Sequence, residues 1–365
     1  MLPQKPIWAL GMMSGTSLDG VDAAMLCTDG IKIFNFGPVA YQPYSMAEQN
    51  ILRSGIGKWQ GESGVDNIAL LVERVHCDLA QGFSGVDLVG FHGQTLAHDP
   101  MGRGQTHQAG SGARLAQMLG LRVAWDFRSQ DVSLGGQGAP LVAFFHHALA
   151  RRVGLVSPVA FVNLGGVGNI TWVDPRIADP SVAAACLAFD TGPANAPIND
   201  LMRQEFGLNY DKNSLIAAQG QADQALIATF LTEDYFLRKP PKSLDRNEFM
   251  GLFSNILALK PHDACATLTA LAAAAVVKAT TLFPSPVTAL YVGGGGRRNG
   301  VMMQEITTGF DGPVHTVEAL GLNGDMLEAQ AFAYLAARVL YGLPLSSSMT
   351  TGVQQAVKGG LISRP

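Results

Sequence analysis

Two kinds of apolar run alternate along the chain. Short runs rich in β-branched and aromatic residues stop at clusters of glycine, serine or aspartate. Longer ones repeat apolar positions at helical spacing. Residues 7–13, 21–28 and 31–39 read as three strands, the first two joined by the tight turn Ser14-Gly15-Thr16-Ser17-Leu18-Asp19-Gly20. Residues 67–82 set Ile68, Leu71, Val72, Val75 and Leu79 on one helical face. A strand over 86–90 then leads into Phe91-His92-Gly93-Gln94-Thr95. It is followed by a short helix Gly112–Leu119, a strand 121–125, a polar loop 126–139 and a helix over 140–152, with Pro140 suited to a first helical turn.

The pattern then restarts. Val159–Leu164 and 170–173 flank Gly165-Gly166-Val167-Gly168-Asn169, and a third strand, 184–189, ends in Asp190-Thr191-Gly192. A largely helical span covers 195–283. Strand 288–292 runs into Gly293 to Gly296, and a helix, a strand 314–317 and a last helix 324–340 follow. Each half thus opens on a hairpin with a glycine-rich turn and continues as alternating helix and strand. This is a repeat of organisation, not of residues. It predicts an α/β protein with mixed sheets flanked by helices. The expected division is a first lobe over 1–157, a second over 158–345 and a tail, 346–365, packing back on the first lobe.

Bulk properties narrow the partners. Hydrophobic residues make up 47% and charged residues 15%, so the chain can fill two cores under a sparsely charged surface. Net charge is −4 and the basic clusters are no longer than Arg151-Arg152 or Arg297-Arg298, which argues against nucleic acid or anionic membrane as a partner. No apolar run approaches the ~20 residues of a membrane span. The N-terminus leads straight into a strand without a signal-peptide pattern, so a cytoplasmic protein is expected. Cys27, Cys77, Cys186 and Cys265 lie far apart in apolar stretches and read as reduced core thiols.

The 42 glycines gather after strands, where a backbone turns sharply or meets a ligand. In the first turn, Ser14, Gly15, Thr16, Ser17 and Gly20 offer backbone N–H groups and hydroxyls to a phosphate, while Asp19 and Asp22 suit Mg²⁺ held through water. The plain alternative is a hydroxyl-rich hairpin. Gly165 and Gly166 form a second candidate phosphate loop. Gly293, Gly294 and Gly295 leave room for an adenosine on the backbone. A Rossmann dinucleotide site fits poorly, because no first βαβ unit carries its motif.

Asp190 reads either as a general base at a strand end or as a cap on the next helix. Arg128 reads either as a bidentate carboxylate ligand or as an ion pair with Asp126 or Asp131. Trp125 and Phe127 are candidates to stack on a sugar face. His92 and Gln94 are placed to hydrogen-bond hydroxyls, and no histidine set has a recognised zinc spacing. Asp325 and Glu328 open the last helix, where acids suit the dipole. Glu328 is also a candidate to reach substrate.

In order, Gly11-Met12-Met13-Ser14-Gly15-Thr16-Ser17-Leu18-Asp19-Gly20-Val21-Asp22, Gly90-Phe91-His92-Gly93-Gln94-Thr95, Asp126-Phe127-Arg128, Asn163-Leu164-Gly165-Gly166, Phe189-Asp190-Thr191-Gly192-Pro193, Gly293-Gly294-Gly295 and Asn323-Gly324-Asp325 with Glu328 resemble the anhydro-N-acetylmuramic acid kinases. The resemblance covers almost the whole chain, and its first block is the most specific. It implies a two-lobed hexokinase/actin/Hsp70-like fold of RNase-H-like topology closing over a central ATP cleft. It implies a homodimeric kinase that uses ATP and Mg²⁺ to convert 1,6-anhydro-N-acetylmuramic acid into N-acetylmuramic acid 6-phosphate in peptidoglycan recycling. Under it Asp190 is the base, Asp19 holds Mg²⁺ through water and Arg128 holds the lactyl carboxylate. One departure is visible: Ala194 stands where the family's Asp-Thr-Gly-Pro-Gly-Asn run has its last glycine. The alternatives are another sugar or acid kinase of the same fold, or an ATP-switched binding protein like actin or Hsp70.

Overall fold

The chain divides into a first unit, Met1–Leu155 with Asp179–Ala183 and Met326–Pro365, and a second, Val156–Ala178 with Ala184–Asp325. The structure is a computed structural model and describes residues 4–244 and 249–365. Elements of the first unit run β1 (Ile7–Ser14), β2 (Gly20–Thr28), β3 (Ile33–Pro43), α1 (Met46–Arg53), α2 (Val65–Ala80), β4 (Leu88–Asp99), β5 (Gln105–Ala109), α3 (Gly112–Leu119), β6 (Val123–Trp125), α4 (Ser129–Ser133) and α5 (Ala143–Arg152). The second unit holds β7 (Val159–Leu164), β8 (Val167–Val173), β9 (Cys186–Pro193), α6 (Asn195–Leu201), α7 (Gln224–Phe230), α8 (Asp234–Leu237), α9 (Met250–Leu257), α10 (Pro261–Thr280), β10 (Leu290–Gly293), α11 (Gly300–Gly309) and β11 (Val314–Thr316). Finally α12 (Leu327–Leu340) and β12 (Leu361–Ser363) belong to the first unit.

Among the described residues the first sheet has the order β12-β6-β4-β1-β2-β3, with β5 pairing β4, and the second β11-β10-β7-β8-β9. In both, the opening three strands are antiparallel and the next strand pairs parallel to the first. Both sheets are therefore mixed, and the α/β class is as expected. Amphipathic α2 buries Ile68, Leu71, Val72 and Val75 in a cluster with Met12, Val89 and Phe91. The alanine-rich α10 is long and apolar enough to cross a membrane by length and composition, but 72% of that stretch is buried inside the protein. All four cysteines are free thiols.

Three expectations need correction, and one strand was not anticipated. Strand β4 runs on to Asp99 instead of stopping near Gly90, so His92 and Gln94 lie within a strand. The polar strand β5, Gln-Thr-His-Gln-Ala, has no apolar alternation to reveal it; β4 supplies its register. Helix α5 starts at Ala143, so Pro140 precedes it rather than opening it. The last helix belongs to the first unit, which moves the expected boundary at 345 to 325. Gly11 on β1 and Gly90 on β4 explain this: a Cβ on either would run into the α12 backbone at Ala329 or Phe332, so the helix lies directly on those strands.

Residues beyond α12 also belong to the first unit. β12 pairs antiparallel with β6, and the buried Asp131 carboxylate accepts from the Ser346 and Thr351 hydroxyls and the Gly138 N–H.

Candidate active site

The first-unit turn is built in two tiers. Ser14 and Gln94 form the lower one. Both are buried; the Ser14 hydroxyl donates to Gln94 Oε1 at 2.5 Å, and Gln94 Nε2 donates to the Gly15 carbonyl at 3.3 Å. These two side chains brace the turn from beneath. Leu18 takes φ 58° and drops into the core, leaving Thr16, Ser17 and Asp19 exposed on the upper tier. Ser17 Oγ donates to Asp19 Oδ1 at 2.6 Å. Gly20 is buried, and its place against Gln42 and the Tyr41 ring is set by β2–β3 packing, not by an open loop. Burial, with Asp19 and Asp22 nearby, pushes the Tyr41 hydroxyl up to about 12.

Arg128 and His92 meet in the same unit. The His92 ring is buried against Phe332, with centroids 4.5 Å apart. Arg128 Nε donates to His92 Nε2 at 3.1 Å, so Nε2 carries no proton, and Nδ1 donates to the Gly93 carbonyl at 2.9 Å. Burial, and then the Arg128 charge, holds His92 well below the ordinary histidine range. Arg128 Nη1 donates to the Gly138 carbonyl at 2.6 Å, which fixes the guanidinium from a second side. Two expected sugar-stacking residues are placed differently. Phe127 is 2% exposed and packs in the core against Phe332. Trp125 covers Gly112 and donates Nε1 to Ser363 Oγ at 3.0 Å. Glu328 lies partly buried in the first turn of α12.

In the second unit, Asp190 sits inside β9 rather than at its end. Its Oδ2 accepts the Leu244 N–H at 2.8 Å, its N–H donates to the Lys242 carbonyl at 2.9 Å, and its carbonyl accepts the Tyr235 hydroxyl at 2.6 Å. Of these, the Leu244 N–H holds the carboxylate and the other two hold the main chain; α6 takes no side-chain cap. The β8–β9 register slips between Gly168 and Asn169, so Asn169 faces Asp190 while Thr191 bulges. Sequence reasoning missed Tyr235 and Lys242. The Lys242 ammonium, 6% exposed, donates to the Tyr235 carbonyl at 2.7 Å and lies 4.5 Å from the centre of its ring. Burial, with the Arg238 and Lys278 charges, brings Lys242 down to about 8. The run Lys239-Pro240-Pro241-Lys242 was the only sequence signal for it.

The turn Gly165-Gly166 directs its carbonyls at the start of α6: Asn195 N–H donates to Gly165 O at 2.9 Å, and Ala194 and Ala196 N–H to Gly166 O at 3.1 Å each. Ala194 has φ −128°, outside the left-handed region that would demand glycine. The glycine run after β10 splits by role. Gly294, at φ 70°, and Gly296 pack against Leu164, whereas Gly295 is exposed and has nothing closer than 4.0 Å to block a ligand. Beside it lies a cavity of about 580 Å³ lined by Arg297, Arg298, Thr316, Glu318, Asn323 and Asp325. Arg297 ties it together, donating to Glu318 at 2.8 Å, Asp325 at 3.0 Å and the Gly294 carbonyl at 2.9 Å.

Residues 7–364 match the family model described as anhydro-N-acetylmuramic acid kinase. The chain belongs to the anhydro-N-acetylmuramic acid kinase family. It is 58% identical to the anhydro-N-acetylmuramic acid kinase of Cereibacter sphaeroides, over 100% of this chain and 98% of that one. The kinases so named from Ruegeria sp. and Roseobacter denitrificans are each 52% identical over 99% of this chain, covering 96% and 95% of their own lengths. Among solved structures, the chain is similar to the activator of 2-hydroxyisocaproyl-CoA dehydratase from Clostridium difficile, with TM-score 0.44 and 11% identity over 91% of this chain and 94% of that one. As a member of the anhydro-N-acetylmuramic acid kinase family the chain is a carbohydrate kinase that uses ATP on a small-molecule sugar.

Proposed function

We propose that this chain phosphorylates 1,6-anhydro-N-acetylmuramic acid and opens its anhydro bridge with water, releasing N-acetylmuramic acid 6-phosphate and ADP, as a step in peptidoglycan recycling. Family membership supports the substrate, and the observation that carries the chemistry is the clamped Asp190 carboxylate, held through Oδ2 by a backbone N–H inside a glycine-bearing strand. Hydrolysis of a glycosidic bond with inversion normally needs a base for water and an acid for the leaving oxygen. Here the leaving oxygen is O6 of the same sugar, and the γ-phosphoryl group of ATP captures it in place of a proton. Water bonds to C1, the C1–O6 bond breaks, O6 takes the phosphoryl group, and Asp190 takes the water's proton. One carboxylate therefore suffices.

The remaining assignments follow from exposure and chemistry. Gly15, Thr16 and Ser17 present the upper tier of their turn to phosphate, while Ser14, Gly20 and Gln94 hold its shape. Gly165 and Gly166 are assigned to the phosphates from the second unit. Gly295, with the adjacent cavity, takes the nucleoside, where the Glu318 and Asp325 carboxylates suit ribose hydroxyls and the Arg297 plane suits a base; Gly293, expected beside it, is buried at the end of β10. Arg128, oriented by His92, takes the lactyl carboxylate, and Glu328 completes the sugar contacts.

For Mg²⁺, no described group of three or more acidic, cysteine or histidine side chains forms a cage. One exposed carboxylate, Asp19, fits a cation carried mainly by phosphates and water, and that cation would supply charge neutralisation at the transferring phosphoryl group. The same reading places the enzyme in the cytoplasm, where ATP is available, and as a homodimer, as the family resemblance implies. Asp190→Asn tests the central assignment: ATP affinity should be retained and turnover should fall by at least ~100-fold. A near-normal rate rejects Asp190 as the base.

A further inference from the structure

Asn169 is the residue that the register sets opposite Asp190 across β8 and β9. Directly opposed residues on antiparallel strands project to one face, with Cβ atoms ~5 Å apart. The slip at Gly168/Asn169 creates this pairing; without it, Asn169 would face Thr191. The Asn169 Oδ1 atom is buried and has no hydrogen-bond partner among the described residues. A buried acceptor left unpaired costs stability, so its retention beside a general base calls for a partner that arrives with the substrate.

We propose that Asn169 is a water-positioning residue whose Oδ1 accepts the second hydrogen of the water that Asp190 deprotonates. This rests on the assignment of Asp190 as base. The attacking water has two hydrogens. One passes to Asp190 as the oxygen bonds to C1; the other stays on the new C1 hydroxyl. As the C1–O6 bond breaks, O6 takes the phosphoryl group and ADP leaves. Two acceptors on neighbouring strands fix both O–H directions, which points an oxygen lone pair at C1. One acceptor alone leaves the water free to rotate about its bond to Asp190.

Methanol discriminates this role from a structural one, because it brings a single O–H and has no use for the second acceptor. Asn169→Ala should leave the melting temperature, the ATP Kd and the sugar KM within about two-fold or a few degrees of the unaltered protein, and lower kcat on the order of 10- to 100-fold. In water–methanol mixtures its ratio of methyl glycoside 6-phosphate to free sugar 6-phosphate should rise at least ~5-fold, since only the water path loses a contact. If Asn169→Ala fails to fold, the same ratio is read on Asn169→Ser. An unchanged ratio, including no methyl glycoside from either protein, overturns the proposal, as does a kcat within two-fold of the unaltered one. Asp190→Asn run in parallel separates the two failures. If it is inactive while Asn169→Ala is normal, only the role of Asn169 falls. If it is active, the base assignment falls first.

Discussion

Arg128 donates its Nε–H to the Nε2 of His92, 36 positions earlier in the chain, and this bond requires His92 to be neutral. Because the ring is locked by its Nδ1–H to the Gly93 carbonyl, the guanidinium is aimed rather than merely present. Arg128→Ala should raise the KM for the anhydro sugar at least ~10-fold and leave ATP affinity unchanged, the pattern of a lost substrate contact. His92→Phe, which keeps the packing against Phe332 but cannot accept from Arg128, should reproduce part of that rise. An unchanged KM in Arg128→Ala removes Arg128 from the sugar contacts.

The glycine run after β10 yields opposite predictions for adjacent residues. Gly295→Val meets open space, so the protein should fold normally while its KM for ATP rises by ~10-fold or more. Gly294→Ala meets Leu164 backbone at a φ of 70° and should lower the melting temperature by roughly 5 °C or more. Calorimetry and ATP titration of the pair settle it. Equal effects at both positions would contradict the division into a ligand-facing and a packing glycine.

Tyr235 holds the Asp190 main chain through its hydroxyl, and Lys242 holds Tyr235. Tyr235→Phe deletes one hydrogen bond while keeping the ring that the Lys242 ammonium covers. It should destabilise the protein by about 1–2 kcal/mol and reduce kcat more than either KM. A variant whose stability falls with kcat unchanged would show that the clamp serves the fold alone.

Buried histidines set the acid limit of the first unit. Burial brings His76 down to about 4 and His146 to about 3, and His92 is also well below its ordinary value. Each imidazole is neutral when folded and gains a proton once unfolded, so below about pH 6.5 the unfolded state binds more protons. Stability should therefore fall as pH drops from 6.5 towards the folded values, and His76→Leu should flatten part of the slope. Denaturant titrations at about pH 7.5 and about pH 5 measure it. A flat or rising profile contradicts neutral burial.

The strand–glycine–strand pattern was legible because apolar runs and turn residues are local signals, and it placed Gly165 and Gly166 in the turn between β7 and β8 and residues 15–19 in the turn between β1 and β2, although Asp190 lies within β9 instead of at its end. Pairings across sequence were not legible. Ser14 with Gln94, Arg128 with His92, and Asp190 with Tyr235 each join residues tens of positions apart, and only the tertiary fold brings them together. Phe127 looked like a sugar platform because an aromatic beside an arginine reads the same on a surface as in a core. Its burial against Phe332 comes from α12 crossing β4. β5 escaped because a polar edge strand takes its register from its neighbour, and the last helix was put in the wrong unit because nothing near it announces Gly11 and Gly90.

Incubation of the enzyme with 1,6-anhydro-N-acetylmuramic acid, ATP and Mg²⁺ in ¹⁸O-labelled water, followed by mass spectrometry of the product, tests the central claim most directly. A sugar 6-phosphate carrying one heavy oxygen at C1 is expected, since water attacks C1 while O6 receives the phosphoryl group. A phosphorylated sugar without the label would make this a plain kinase and take the water-activating role from Asp190.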